Sequence, residues 1–404
     1  MYKFFTKKIQ NSHTQLTTHE KPKNLKPISK IRNGWKNVET LRQNTQFFRD
    51  FLILAQNFFA STLMEWVLTV VVLVLVIVLM DSVRMVQSPK REVGSRGTGL
   101  IRCALHIATF VAYSTMFRLR GNKNKFRTLV FDTLRFVQMT ASPDTIRIGL
   151  NVVTFIFNTI IWRSNRLIGQ YVLVPFPENM SFISALRLCK ANYKVSDIEV
   201  CVIYIHGGGY FCGNEKMYLP AHEKWIESCE KTEILCVDYA LSNHSLAMQQ
   251  CREVLLWYVG LYPNRKVILA GDSAGACIAF RLAMRYGSTL EALIMISPWI
   301  VQDTRASSFR KNRHSDYLTT EFVQIASSLH GLNKTDPVVS PLFCTLGAFR
   351  NVPRTLLVWG EDELFRDDCM SFASRLTREG VSVTISRSPN KPHVWVLLYP
   401  WLYS

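Results

Sequence analysis

Two short runs in this chain combine residue types that can do chemistry: His206-Gly207-Gly208-Gly209-Tyr210 and Gly271-Asp272-Ser273-Ala274-Gly275. Each stands directly behind an apolar run, Val202-Ile203-Tyr204-Ile205 for the first and Lys266-Val267-Ile268-Leu269-Ala270 for the second. Gly-x-Ser-x-Gly is the pattern of a nucleophile elbow, a strained strand-to-helix turn on which a serine is presented and glycines relieve the crowding. Attack by such a serine on an ester carbonyl needs backbone N–H donors for the oxyanion, and glycine amides behind a second strand supply them. The expected donors are Gly207, Gly208 and Ala274, with His206, Gly209, Gly271 and Gly275 supporting the two turns. One Gly-x-Ser-x-Gly match carries little weight, because glycine makes up about 7% of ordinary sequence. The pairing of the two motifs, each behind a strand, is what counts.

A base and an acid are then sought in the order serine, acid, histidine. Beyond Ser273 stand His314, His330 and His393. A third apolar run, Thr355-Leu356-Leu357-Val358-Trp359, ends at Gly360 and enters Glu361-Asp362-Glu363, and only His393 follows it. His393 lies after Ser388-Pro389-Asn390-Lys391-Pro392, where a histidine could also cap a helix starting near Val394. The elbow and the acidic turn favour the base. Asp362 is the expected acid because it stands two residues past the strand-end glycine, with Glu361 second. Most of the other nearby acids (Glu363, Asp367, Asp368) are expected to be solvated surface charge. His206 is read as a brace for the glycine loop.

These residues resemble the hormone-sensitive-lipase branch of the α/β-hydrolases, in His206 to Gly209, Gly271 to Gly275, Asp362 within Gly-x-Asp-x-Leu, and His393 beyond it. More narrowly, Ser297-Pro298-Trp299 followed by Asp303-Thr304, together with a membrane anchor, resembles the fungal steryl acetyl hydrolases. The similarity covers residues 170–404. It implies an α/β-hydrolase fold, a mostly parallel sheet with helices on both faces and a cap. It also implies a Ser273-Asp362-His393 triad without cofactor or metal, acting on steryl acetates in the endoplasmic reticulum membrane with the catalytic domain in the lumen. Asp238-Tyr239-Ala240-Leu241-Ser242-Asn243-His244 departs from the branch's usual Asp-Tyr-Arg-Leu-Ala-Pro-Glu, and Ala276 replaces a glycine after the elbow. Both departures bear on pocket shape rather than on the triad. A neutral-lipid or arylacetamide-type carboxylesterase and an amidase share this machinery, and a non-catalytic lipid-binding hydrolase fold is the reading from another class.

Periodicity places the motifs on alternating strands and helices, the pattern of a mostly parallel sheet covered on both faces. Strands are predicted at 199–206, 233–240, 266–271, 291–297, 354–360 and 381–386. Helices are predicted at 244–259, 274–286 and 367–378, with another from 394. A strandless excursion, about 299–349, is the expected cap insertion in a hydrolase domain of 166–404.

Upstream the chain changes character. It carries 48 Lys and Arg against 30 Asp and Glu, a formal charge of +18, and much of the excess precedes the hydrolase. No zinc pattern, RNP-like motif or basic helix supports a nucleic-acid partner. Basic flanks around an apolar segment fit anionic lipid headgroups instead. Trp66 to Met80 is apolar throughout, but fifteen residues make only about 22 Å of helix, so a transmembrane signal anchor is expected over 62–83. It follows a basic flexible leader at 1–61. It precedes a basic linker and helical N-terminal cap region at 84–165, in which Ile148 to Trp162 reads as an interfacial or lid helix.

Topology signals divide: near the span Arg49 faces Arg84, Lys90, Arg91 and Arg96, which favours a cytosolic hydrolase. Sequons at Asn179, Asn243 and Asn333 would matter only in a secretory lumen. The ten cysteines form no Cys-x-x-Cys pair, so a metal site is not expected. The expected partners are a hydrophobic ester substrate and membrane lipid, with no obligatory protein partner.

Overall fold

The computed structural model describes residues 131–402, apart from 133, 136, 140–141, 157, 159–165, 178–179 and 330–333. The expected leader, span and most of the basic linker lie outside the described residues, as do Asn179 and Asn333. No helix among the described residues is long and apolar enough to cross a membrane.

Eight strands form one sheet: β1 Leu167–Phe176, β2 Ser181–Lys190, β3 Val200–Ile205, β4 Thr232–Asp238, β5 Lys266–Asp272, β6 Ala292–Ile296, β7 Thr355–Gly360 and β8 Val383–Ser388. Their order is β1-β2-β4-β3-β5-β6-β7-β8. β2 pairs antiparallel with both β1 and β4, and every later pairing is parallel. β3, β6 and β7 are buried along their whole length, as apolar strands covered on both faces must be. Helix α1 is Pro143–Ile156, α2 Leu219–Glu227, α3 His244–Leu261, α4 Ser273–Tyr286, α5 Ser307–Lys311, α6 Thr320–Leu329, α7 Arg366–Arg378 and α8 Trp395–Leu402.

Every strand expected from the pattern is present within about two residues, the usual scatter of element ends. The β1–β2 hairpin, α2 and α5 were not foreseen. β1 contains Gly169 and Pro175, both depleted in strands, and Leu173 on its outer face is 62% exposed. What makes it a strand is the unbroken register from Leu167↔Lys190 to Phe176↔Ser181. In α2 Tyr218 precedes a Leu-Pro start, the proline standing where a helix has no internal acceptor for its N–H.

The order of the strands sets the position of the site. From β3 the chain steps out to β4 and returns to β5 on the other side of β3. The strand order reverses there, and the crevice beyond the carboxyl ends of such strands is where open α/β sheets bind ligands. Between β6 and β7 the cap carries α5, α6 and a 3-10 turn at Pro341–Phe343, and no strand among the described residues. Phe322 of α6 packs on Phe211 of the glycine loop, their ring centroids 5.2 Å apart. α1 meets the same loop, where Asn214 Nδ2 donates to Asn151 Oδ1 at 3.0 Å.

Candidate active site

The elbow forms because nothing larger than glycine fits it. A Cβ on Gly275 would lie 2.2 Å from Ile205 O, and one on Gly271 would lie 2.7 Å from the Gly275 backbone. β5 therefore turns into α4 against the end of β3, and Ser273 takes the left-handed conformation at φ 49°, a strain that persists only where the surroundings over-determine it. Trp299 N–H donates to Ser273 O at 3.0 Å and ties the elbow to the loop after β6. Ala274 lies in the first turn of α4, where N–H groups have no intrahelical acceptor.

The glycine loop after β3 is held by Asp272. This carboxylate is buried and accepts from Gly207 N–H at 2.8 Å and from the hydroxyls of Tyr204 at 2.7 Å and Tyr218 at 3.0 Å. Burial raises its pKa to about 6, against the pull of those donors. The Gly207 assignment needs correcting: its N–H is engaged by Asp272 and is not presented to a substrate oxygen. Gly208, at φ 110°, makes no hydrogen bond through its N–H among the described residues. Gly208 and Ala274 therefore remain from the expected donor set. His206 stacks on Tyr239 with centroids 4.3 Å apart, and its Nδ1 lies 2.7 Å from Gly207 O. Burial lowers its pKa to about 4, so the ring stays neutral and braces the loop.

On the other side, loops after β6, β7 and β8 converge. His393 is buried against Phe365, ring centroids 5.0 Å apart and nearly perpendicular. Burial depresses its pKa to about 3, and its Nδ1 is buried without a hydrogen-bond partner among the described residues. Asp362 is half-buried; its N–H donates to Lys391 O and its carbonyl accepts from Ser315 Oγ, but its carboxylate makes no hydrogen bond among the described residues.

The next residue, Glu363, is fully buried, and its Oε2 accepts from Ser297 Oγ at 2.6 Å and Gly360 N–H at 2.9 Å. Ser297 Oγ in turn accepts from Val394 N–H at 2.9 Å, beside the histidine. Burial pushes the Glu363 carboxyl well above its usual range. Asp316, from the cap, is also fully buried, and accepts from His393 N–H at 3.1 Å, Leu364 N–H at 2.8 Å and Leu318 N–H at 3.3 Å. Burial pushes it up to about 7. Ser297 and Val394 both hold positive φ, 43° and 48°.

Glu361 is half-buried and faces Arg387 at 3.7 Å. Asp367 bonds Ser307 Oγ and Ser308 N–H. Asn243 is exposed and caps α3, its side chain accepting from Leu246 N–H at 3.0 Å. The residues that sequence reasoning missed are Ser297, Glu363 and Asp316. Glu363 was in view within the acidic turn, and only its burial separates it from Asp362; Asp316 sits beside a charged run and gave no signal at all.

The α/β hydrolase fold family matches residues 202–397 of this chain. An esterase of Acinetobacter venetianus is 30% identical over 228 residues, covering 52% of this chain and 73% of that protein. An acetyl-hydrolase of Streptomyces hygroscopicus is 26% identical over 212 residues, covering 50% and 70%. Among solved structures, a hormone-sensitive lipase from a metagenome library is similar with a TM-score of 0.58, at 20% identity, over 69% of this chain and 93% of that one. The structural likeness speaks for the fold.

Proposed function

Since the chain belongs to the α/β-hydrolase family, we propose that it is a membrane-anchored serine hydrolase of the hormone-sensitive-lipase branch that removes a short acyl group, acetyl, from a hydrophobic alcohol such as a sterol. The chain is a carboxylic ester hydrolase by its relatives among named esterases and carboxylesterases. The observation that carries the reading is the elbow: Ser273 at φ 49°, with the N–H groups of Ala274 after it and of Gly208 in the glycine loop making no hydrogen bond among the described residues.

In this reaction Ser273 Oγ attacks the ester carbon as His393 takes its proton. The carbonyl π electrons move to the oxygen, which Gly208 and Ala274 N–H stabilise; one such donor typically lowers the barrier by about 2.7–4 kcal/mol. The C–O bond to the alcohol then breaks, and His393 returns the proton to the leaving oxygen. Water repeats the sequence on the acyl-serine and releases the acid. A carboxylate must orient the imidazole and stabilise its protonated form. We assign that role to Glu363 in place of Asp362: Glu363 is buried and held through Ser297 to the residue after His393.

Acetyl specificity is supported by the likeness to steryl acetyl hydrolases and to an acetyl-hydrolase. Membrane anchoring and a lumenal site in the endoplasmic reticulum rest on the apolar 62–83 segment and the sequons.

Labelling with a fluorophosphonate probe tests the enzyme: wild type must label, and Ser273→Ala must not. Purified enzyme should release acetate from an acetylated 3-hydroxysteroid, and faster cleavage of a long-chain triacylglycerol would move the assignment to a neutral-lipid lipase. A glycosidase-sensitive mobility shift, lost when Asn179, Asn243 and Asn333 become glutamine, would support the lumenal side. Digestion of the hydrolase by protease outside intact microsomes would refute it.

A further inference from the structure

The cap segment at 312–319 does more than roof the site. Asn312 Nδ2 donates to the carbonyls of Glu361 and Glu363, at 3.0 and 2.8 Å, and Ser315 Oγ reaches Asp362 O at 3.1 Å. Asp316 completes the bracket. One carboxylate accepts N–H groups from the cap itself (Leu318), from the acid turn (Leu364) and from the base (His393).

The bracket is gripped from outside by residues that precede the sheet. Arg135 Nε donates to Asp316 O at 2.6 Å and its Nη2 to His314 O, while Nη1 pairs with Asp132 at 2.7 Å. Gln138, itself buried, accepts from Thr319 N–H at 3.0 Å. The stretch upstream of β1 thus holds the same eight residues that hold the histidine loop.

We propose that Asp316 is a positioning residue for His393, and that Arg135 acts through it, so that the segment before the hydrolase sheet is a working part of the catalytic apparatus. The proposal rests on the reading of His393 as the base. Asp316 touches no reacting atom; it sets the backbone from which the imidazole projects. Asparagine at 316 would keep one acceptor oxygen but turn an amide NH2 toward one of the two N–H sets, leaving a buried donor without an acceptor.

The test is steady-state hydrolysis of a soluble short-chain ester by the full chain. Asp316→Asn should lower kcat on the order of 100-fold, the cost of misplacing a catalytic group by about an ångström, with KM changed little. Arg135→Ala, a half-buried position, should lower kcat in the same direction by less. Its loss should shrink when Asp316→Asn is already present, because neighbours in one chain of contacts are not additive. Glu199→Ala, which removes an exposed pair with Lys231, should change neither constant.

Should Asp316→Asn and Arg135→Ala both retain wild-type kcat, the proposal is overturned, and the same holds if their losses appear in melting temperature or KM alone. If Asp316→Asn does not fold, Arg135→Ala decides by the same split. A wild-type protein that hydrolyses no ester and labels no better than Ser273→Ala would sink the hydrolase reading itself, a result separable from either.

Discussion

The two halves of the site are built by different means. The nucleophile half joins the ends of β3 and β5, and its geometry is written in backbone: Gly207, Gly208, Gly271 and Gly275 are there because a Cβ at each would strike a neighbour within 3 Å. The relay half joins loops from β6, β7, β8 and the cap. Side chains hold it together, Ser297 to Glu363 and Val394, and Asp316 to Leu364 and His393. A site needs rigidity where an oxyanion must be met and a tuned environment where a proton must move; this chain meets the first with glycine backbone pinned by the Asp272 carboxylate, and the second with a network of side chains between loops.

The acid is where the contrast breaks most sharply. Glu363→Gln should lower kcat by about 10⁴-fold, the scale of the equivalent change in a serine-protease triad, while Asp362→Asn should stay within a few-fold of wild type. Rates for the pair on one ester, with the reverse order of damage, would return the role to Asp362.

A smaller effect separates stability from turnover. Asp272→Asn weakens the acceptor of Gly207 N–H and two tyrosine hydroxyls, at about 1–3 kcal/mol for each buried group left unsatisfied. Urea unfolding should register it first. Ser297→Ala should register first in kcat, because it releases Glu363 and the Val394 N–H beside the base. Equal ranking of the two variants in both assays would erase the distinction between the halves.

Least in effect is a property the halves share. His206 and His393 are buried neutral histidines with pKa lowered to about 4 and about 3. On unfolding each regains the ordinary value of about 6.5, so below that pH the unfolded chain binds the extra protons. The stability these two histidines contribute is complete above about 6.5 and falls as pH drops toward the folded-state values, by about 2 kcal/mol per histidine at pH 5. His206→Asn should flatten the curve of melting temperature against pH between 7 and 5; a variant curve as steep as wild type would show that His206 does not contribute.

What could be read from the chain follows the same division. The central strands and both glycine motifs were legible, because full burial demands unbroken apolar runs and tight turns demand glycine. The β1–β2 hairpin was not, since its outer face is exposed and only the ladder to β2 makes it regular. Asp362 and Glu363 are adjacent acids that composition cannot rank; their difference lies in which one the turn after Gly360 points inward. Asp316 owes its place to contacts with residues far along the chain, and no spacing announces it.

Val394 follows His393 at φ 48°, a conformation that a β-branched residue adopts only under constraint. Strain of this kind stores on the order of 1–3 kcal/mol, yet Val394 is buried, and glycine there would give up a comparable amount in lost apolar packing. Relaxing the dihedral therefore yields no cheap gain in heat tolerance: the side chain that strains the turn also fills the space beneath it, and so keeps the backbone beside the imidazole in place.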